Sequence, residues 1–188
     1  MKSRLIISAV ALTLFSANVI CAADSTEEKQ AKIRKGVSET LQDLYKLQPG
    51  AQAAIQNAAG YAVFKNFGTN LLVVSTASGS GIATNNQTKQ DTFMKMVSAG
   101  AGLGVGVKDF RVIFVFKTDK AFEQFLNSGW SGSAQGDAAA KAGSSGGAVS
   151  GAVEVAPDVY VYQITKNGLA LQLTLQGTKY YKDDDLNK

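Results

Sequence analysis

Six basic side chains carry the clearest chemistry in this sequence. Lys29, Lys32, Arg34 and Lys35 crowd into two helical turns near the start of one segment, and Lys108 and Arg111 flank a later turn. Ammonium and guanidinium groups so placed can meet anionic oxygens, phosphates above all. Other reactive types are scarce. The 188 residues hold no histidine and one cysteine, Cys21. That excludes Ser-His and Cys-His nucleophile pairs, His-containing zinc sites and haem on a proximal histidine. The carboxylates Asp109, Asp119, Asp137, Glu154 and Asp158 are scattered, and the one cluster, Asp183-Asp184-Asp185, sits in a polar end that reads as a solvated acidic tail. No G-x-G-x-x-G fingerprint or P-loop occurs. Neither an enzyme nor a cofactor or metal site is expected.

Length and charge bound the setting. The chain suffices for one domain, and 45% apolar with 18% charged residues is ordinary globular usage. Lys2 and Arg4 precede an uncharged apolar run from Leu5 to Ile20, then Cys21-Ala22-Ala23 and the polar Asp24 to Glu28. This pattern predicts a signal peptide over residues 1–23, cleaved after Ala22 or Ala23. The apolar run is short of the roughly 20 residues of a membrane span. Lipoprotein anchoring at Cys21 fits less well, because bulky Ile20 precedes it. Loss of Lys2 and Arg4 takes the formal charge from +4 to +2, far below what a nucleic-acid module carries. The expected location is periplasmic or otherwise exported. With Cys21 removed no disulfide is available, so the core must hold the fold unaided.

The elements that position these groups follow from periodicity. Ile33, Val37, Leu41 and Leu44 form one helical stripe between Ser25 and Leu47, and Pro49-Gly50 stops it. Acids balance bases on its polar face, as on a solvated surface. A short helix is expected at Ala51 to Ala58. From Gly60 the period becomes two: Tyr61 to Phe64, Leu71 to Val74, a run from Phe93, and Arg111 to Phe116 read as strands. Thr84 to Gln87 reads as a turn, and Thr118 caps a helix through Leu126. Lys166-Asn167-Gly168 joins Val159 to Thr165 with Leu169 to Leu175 as a hairpin. Glycine alternates from Gly100 to Gly106, baring one strand face to another element or to a lipid chain. Ser131 to Gly151 is a small-residue loop. The expected fold is α+β, with an N-terminal amphipathic helix packed on a mostly antiparallel, glycine-rich β-sheet or partly closed barrel. Its parts are the helix at 24–50, the main domain at 51–181 and the acidic tail at 182–188.

Several blocks, in order, carry a resemblance. Ala59-Gly60-Tyr61-Ala62-Val63-Phe64, the glycines 79 and 81, Gly100 to Gly106 and Asp109 to Phe116 come first. Ala121 to Phe125, the small residues after Trp130, Val159-Tyr160-Val161-Tyr162, Gly168-Leu169-Ala170, Gly177 and Tyr180-Tyr181 follow. Together they resemble the lipid-binding SYLF family, over roughly Val37 to Tyr181. The resemblance implies a compact α+β domain that binds acidic phospholipids and has no known catalytic activity. The leader and the lack of an SH3 or FYVE module match an exported bacterial branch, for which actin binding is not expected.

The function expected from these observations is a periplasmic, non-enzymatic phospholipid-binding protein. Lys29, Lys32, Arg34, Lys35, Lys108 and Arg111 would meet head groups, and the helix stripe or an apolar crevice would take acyl carbon. The alternative is an envelope interaction protein that binds another protein, so far unspecified, through its glycine-rich face or a sheet edge. An outer-membrane barrel fits less well, given the helical start and the polar acidic end.

Overall fold

A computed structural model describes residues 25–66, 76–99, 111–131, 151–165, 168–170 and 178–188. Residues 1–24, which include the expected signal peptide, Leu71 to Ser75, Gly100 to Gly106, Lys108, Lys166 and Asn167, most of the small-residue loop and Leu171 to Leu175 lie outside the described residues.

Helix α1 spans Thr26–Leu47 and begins in a reciprocal cap. The Ser25 hydroxyl accepts from the Glu28 amide, and the Glu28 carboxylate accepts from the Ser25 amide, at 3.2 and 3.0 Å. A short α2, Gly50–Gln56, follows at once. Strands β1 (Gly60–Asn66), β2 (Thr76–Asn85), β3 (Asp91–Ala99) and β4 (Arg111–Phe116) come next. Then follow α3 (Asp119–Ser128), β5 (Trp130–Ser131), β6 (Val153–Ala156), β7 (Val159–Thr165), β8 (Gly168–Ala170) and β9 (Thr178–Lys182). The described strands form one curled antiparallel sheet in the order β5-β9-β3-β2-β1-β4-β7-β6, and β8 pairs β7 beside β6. The fold is α+β as expected. The expected hairpin pairing is present, with β7 antiparallel to β8 and Thr165 opposite Gly168. The β2–β3 turn lies slightly later than its sequence signal, where the Asn85 side chain accepts from the Gln87 and Thr88 amides.

Both sheet faces are covered at its centre, which explains why β4 reads as an unbroken apolar run rather than an alternation. One face carries Phe64, Phe114, Phe116 and Tyr180, packed with Phe122 and Phe125 of α3 and with Trp130. The other face carries Val63, Ile113, Val115 and Tyr162, covered by Leu44 of α1 and by Ala51 and Ile55 of α2. Gly60 lets α3 come this close: a Cβ there would lie 2.6 Å from the Phe122 ring.

The acidic end is not a solvated tail. Asp183 is 4% exposed, and its carboxylate accepts from Lys95 Nζ at 2.8 Å and from the Asp185 and Leu186 amides. The Asn187 side-chain amide pairs with both the N–H and the C=O of Phe93, at 2.9 and 2.8 Å. Leu186 completes a cluster with Ile33, Ile82 and Phe93 and so pins the first half of α1 to β3. One leucine among acids gives no periodic signal, so the sequence pattern concealed this clasp. Truncation as Leu186→Ala should cost about 2 kcal/mol, read as a lower urea midpoint with unchanged slope.

Candidate membrane-contact surface

The helix stripe predicted to accept acyl carbon is already spent on the sheet. Ile33 and Leu44 are buried, Val37 and Leu41 half-buried, and all four pack into the core. Among the described residues the exposed large apolar side chains are Leu47, Val97 and Tyr181.

The predicted basic residues divide into two kinds. Lys29, Lys32 and Lys35 are exposed on α1. Arg34, also exposed, bonds Asp91 across the start of β3, with its guanidinium 5.0 Å over the Phe93 ring. Arg111 is only 18% exposed and donates to Asp43 of α1 at 2.6 Å. These two arginines therefore fasten α1 to the sheet. Lys108 lies outside the described residues.

The Arg111 guanidinium holds the Asp43 carboxyl below its usual pKa. A depressed carboxyl stabilises the fold above the ordinary aspartate value, and that contribution disappears as pH falls through the lower folded value. Thermal midpoints recorded on acidification below about pH 5 should thus fall less steeply in Asp43→Asn than in the natural chain.

A second group on the α1 face of the sheet escaped the sequence reading. Register places Val97 opposite Lys179 and Lys95 opposite Tyr181, so β3 and β9 present two apolar and two cationic side chains as one tile. Val97 is 39% and Tyr181 41% exposed. On β2 the small Ser78 and Ser80 stand beside Val97 and Lys95, leaving a shallow groove of about 480 Å3 bounded also by Tyr181 and Asp183. Ser80 in turn neighbours Lys65, which pairs with Glu39 of α1 at 3.6 Å. Lys32 and Lys35 share that helix flank with Glu39 by their spacing of seven and four, so the flank borders the groove. Lys95 is not an independent cation, because its hydrogen bond to Asp183 raises its pKa and Asp185 lies 3.6 Å away. The only available signal for this tile was the pairing of Tyr180 with Tyr181, one buried and one exposed.

No helix among the described residues is long and apolar enough to cross a membrane. Nor does any group of three or more carboxylate, cysteine or histidine side chains among them stand ready to hold a metal ion. The family model of Ysc84, described as Las17-binding protein actin regulator, matches residues 97–188. Over 164 residues the chain is 30% identical to the Beta cell expansion factor A of Aeromonas veronii, an alignment spanning 87% of this chain. Both matches support the SYLF family for this chain. It covers 61% of that relative's length. The matched segment contains β4, the aromatic residues of the core from Phe114 onward, Val97, Lys179 and Tyr181 of the tile, and the C-terminal residues of the clasp. The SYLF family is associated with lipid binding and is not known for catalysis.

Proposed function

We propose that this protein is an exported, periplasmic, non-enzymatic phospholipid-binding member of the SYLF family. It docks on anionic membranes through Val97, Tyr181 and Lys179 of the tile, with Lys29, Lys32 and Lys35 of α1 as further head-group contacts. The observation that carries this reading is the exposure of Val97 and Tyr181 around Lys179. A tyrosine and an aliphatic side chain between cations suit the boundary between head groups and acyl chains, where an aromatic ring has one end apolar and the other wet. Each lysine near an anionic surface contributes on the order of 1 kcal/mol, so several must act together with apolar insertion to give useful affinity. The leader pattern at residues 1–23 supports export.

The test is co-sedimentation of the protein lacking residues 1–23 with phosphatidylcholine vesicles, with and without phosphatidylglycerol, at low and high salt. Binding that requires phosphatidylglycerol and weakens with salt is expected. A folded sample that stays in the supernatant with both vesicle types would overturn the reading.

A further inference from the structure

On the other face of the sheet a separate cleft opens between α3 and the Ala156-Pro157-Asp158-Val159 turn. That turn is fixed to the start of α3. The Lys117 amide donates to the Asp158 carbonyl at 2.9 Å, the Thr118 hydroxyl donates to the Asp158 carboxylate at 3.3 Å, and Asp158 itself takes a left-handed backbone with φ of 63°. The cleft has a volume of about 380 Å3, within the range of small-ligand pockets. Its walls are apolar, built from Phe116, Ala121, Phe125, Trp130, Ala156 and Val159, while Lys120, Gln124 and Asp158 stand among its polar lining.

Two donors nearby have no acceptor. Trp130 Nε1 and the Tyr180 hydroxyl are both buried and without a hydrogen-bond partner, and their rings lie 5.8 Å apart. Burial pushes the Tyr180 phenol far above its ordinary pKa, so it stays a neutral donor. An unpaired buried donor bears its full desolvation penalty, and such groups are rare enough in folded proteins to call for a reason. Trp130 is the one that also lines the cleft.

We propose that this cleft binds a single-chain amphiphile, with the chain against Phe116, Phe125 and the indole, the carboxyl carbon beside Trp130, and the polar end at Lys120 and Asp158. Entry turns the indole edge toward the ligand, and the carboxyl or ester oxygen becomes the acceptor that Nε1 lacks. That oxygen is common to a free fatty acid and to a lysophospholipid. The mixed charge of the lining, one ammonium and one carboxylate, matches the zwitterionic head of the latter. This site is distinct from the bilayer-contact surface, because the two lie on opposite faces of the sheet.

Trp130 is the only tryptophan in the chain, so its emission reports on the cleft alone. Decanoate and 1-decanoyl-lysophosphatidylcholine, each kept below its micelle concentration, should each give a saturable one-site change. The lysophospholipid should bind more tightly if the zwitterion match holds; equal or weaker binding overturns that assignment. Ala121→Phe, which fills the cleft from α3, should abolish the response while circular dichroism stays native. Trp130→Phe keeps the ring but loses the donor, and should weaken binding about tenfold, read as a smaller ligand-induced rise in Tm. No saturable change with either ligand, a response retained in Ala121→Phe, or an undiminished Tm rise in Trp130→Phe would overturn the proposal. Vesicle pelleting of the same samples separates the two readings. Pelleting without an emission change removes the cleft and leaves the membrane surface; a saturable change without pelleting does the reverse.

Discussion

Gly81→Ala is expected to leave little folded protein at ambient temperature. Gly81 sits in β2 directly opposite Phe64 of β1, in the middle of the sheet. A Cβ there would occupy the space of the Val63 carbonyl oxygen and lie 2.6 Å from the Phe64 ring. The carbonyl belongs to a strand hydrogen-bonded on both sides, and the ring is locked edge-on against Phe114 and Tyr180 at 6.0 and 4.7 Å. Neither can give way without opening β1 from β2. The cost should reach about 4 kcal/mol or more, a large part of the 5–15 kcal/mol typical of a domain. Gly36→Ala is the contrasting case. Its Cβ would meet only Lys65 Cδ at an ordinary 3.5 Å inside a helix, so it should stabilise by about 1 kcal/mol. Urea unfolding of the two variants side by side checks both. A Gly81→Ala midpoint within error of the natural chain would show that β2 is not held as described.

Neutralising Lys32, Lys35 and Lys179 together to glutamine should weaken binding to phosphatidylglycerol vesicles about a hundredfold at low salt, from three contributions of about 1 kcal/mol each. All three are exposed, and circular dichroism of the variant checks that the fold is kept. Arg34→Gln and Arg111→Gln should behave in the opposite manner. Each removes an ion pair that fastens α1, to Asp91 or to Asp43, and should lower the thermal midpoint while leaving the vesicle isotherm nearly unchanged. A triple variant that binds as well as the natural chain would move the head-group contacts elsewhere.

Sequence reasoning placed α1, β1, β4, α3 and the β7–β8 hairpin because each announces itself locally. An apolar step of three and four, a Pro-Gly stop, a threonine before a helix and Asn-Gly between strands are all readable within a few positions. β2 is different. Thr76 to Asn85 is built of small residues with little strand character, and it becomes a central strand because β1 and β3 pair with it on either side. The basic residues show the same division. Lys29, Lys32, Arg34, Lys35 and Arg111 look alike as a list. Partners distant in sequence, Asp91 and Asp43, turn two of them into fasteners.

By itself, then, the sequence determined the class of chemistry: no imidazole, a single cysteine in a leader-like segment, and cations arranged to meet anions. It also determined the helices and the apolar strands, since hydrophobic period and capping act over one or two turns. Only the tertiary structure decided which cations remain exposed and which surfaces remain apolar. Strand register set Val97 beside Lys179 and Lys95 beside Tyr181, and it drew Asp183 and Asn187 onto β3. Those neighbours are 82 to 94 residues apart, from Val97 and Lys179 to Phe93 and Asn187, and their contacts arise from the pairing of β3 with β9, which no local pattern encodes.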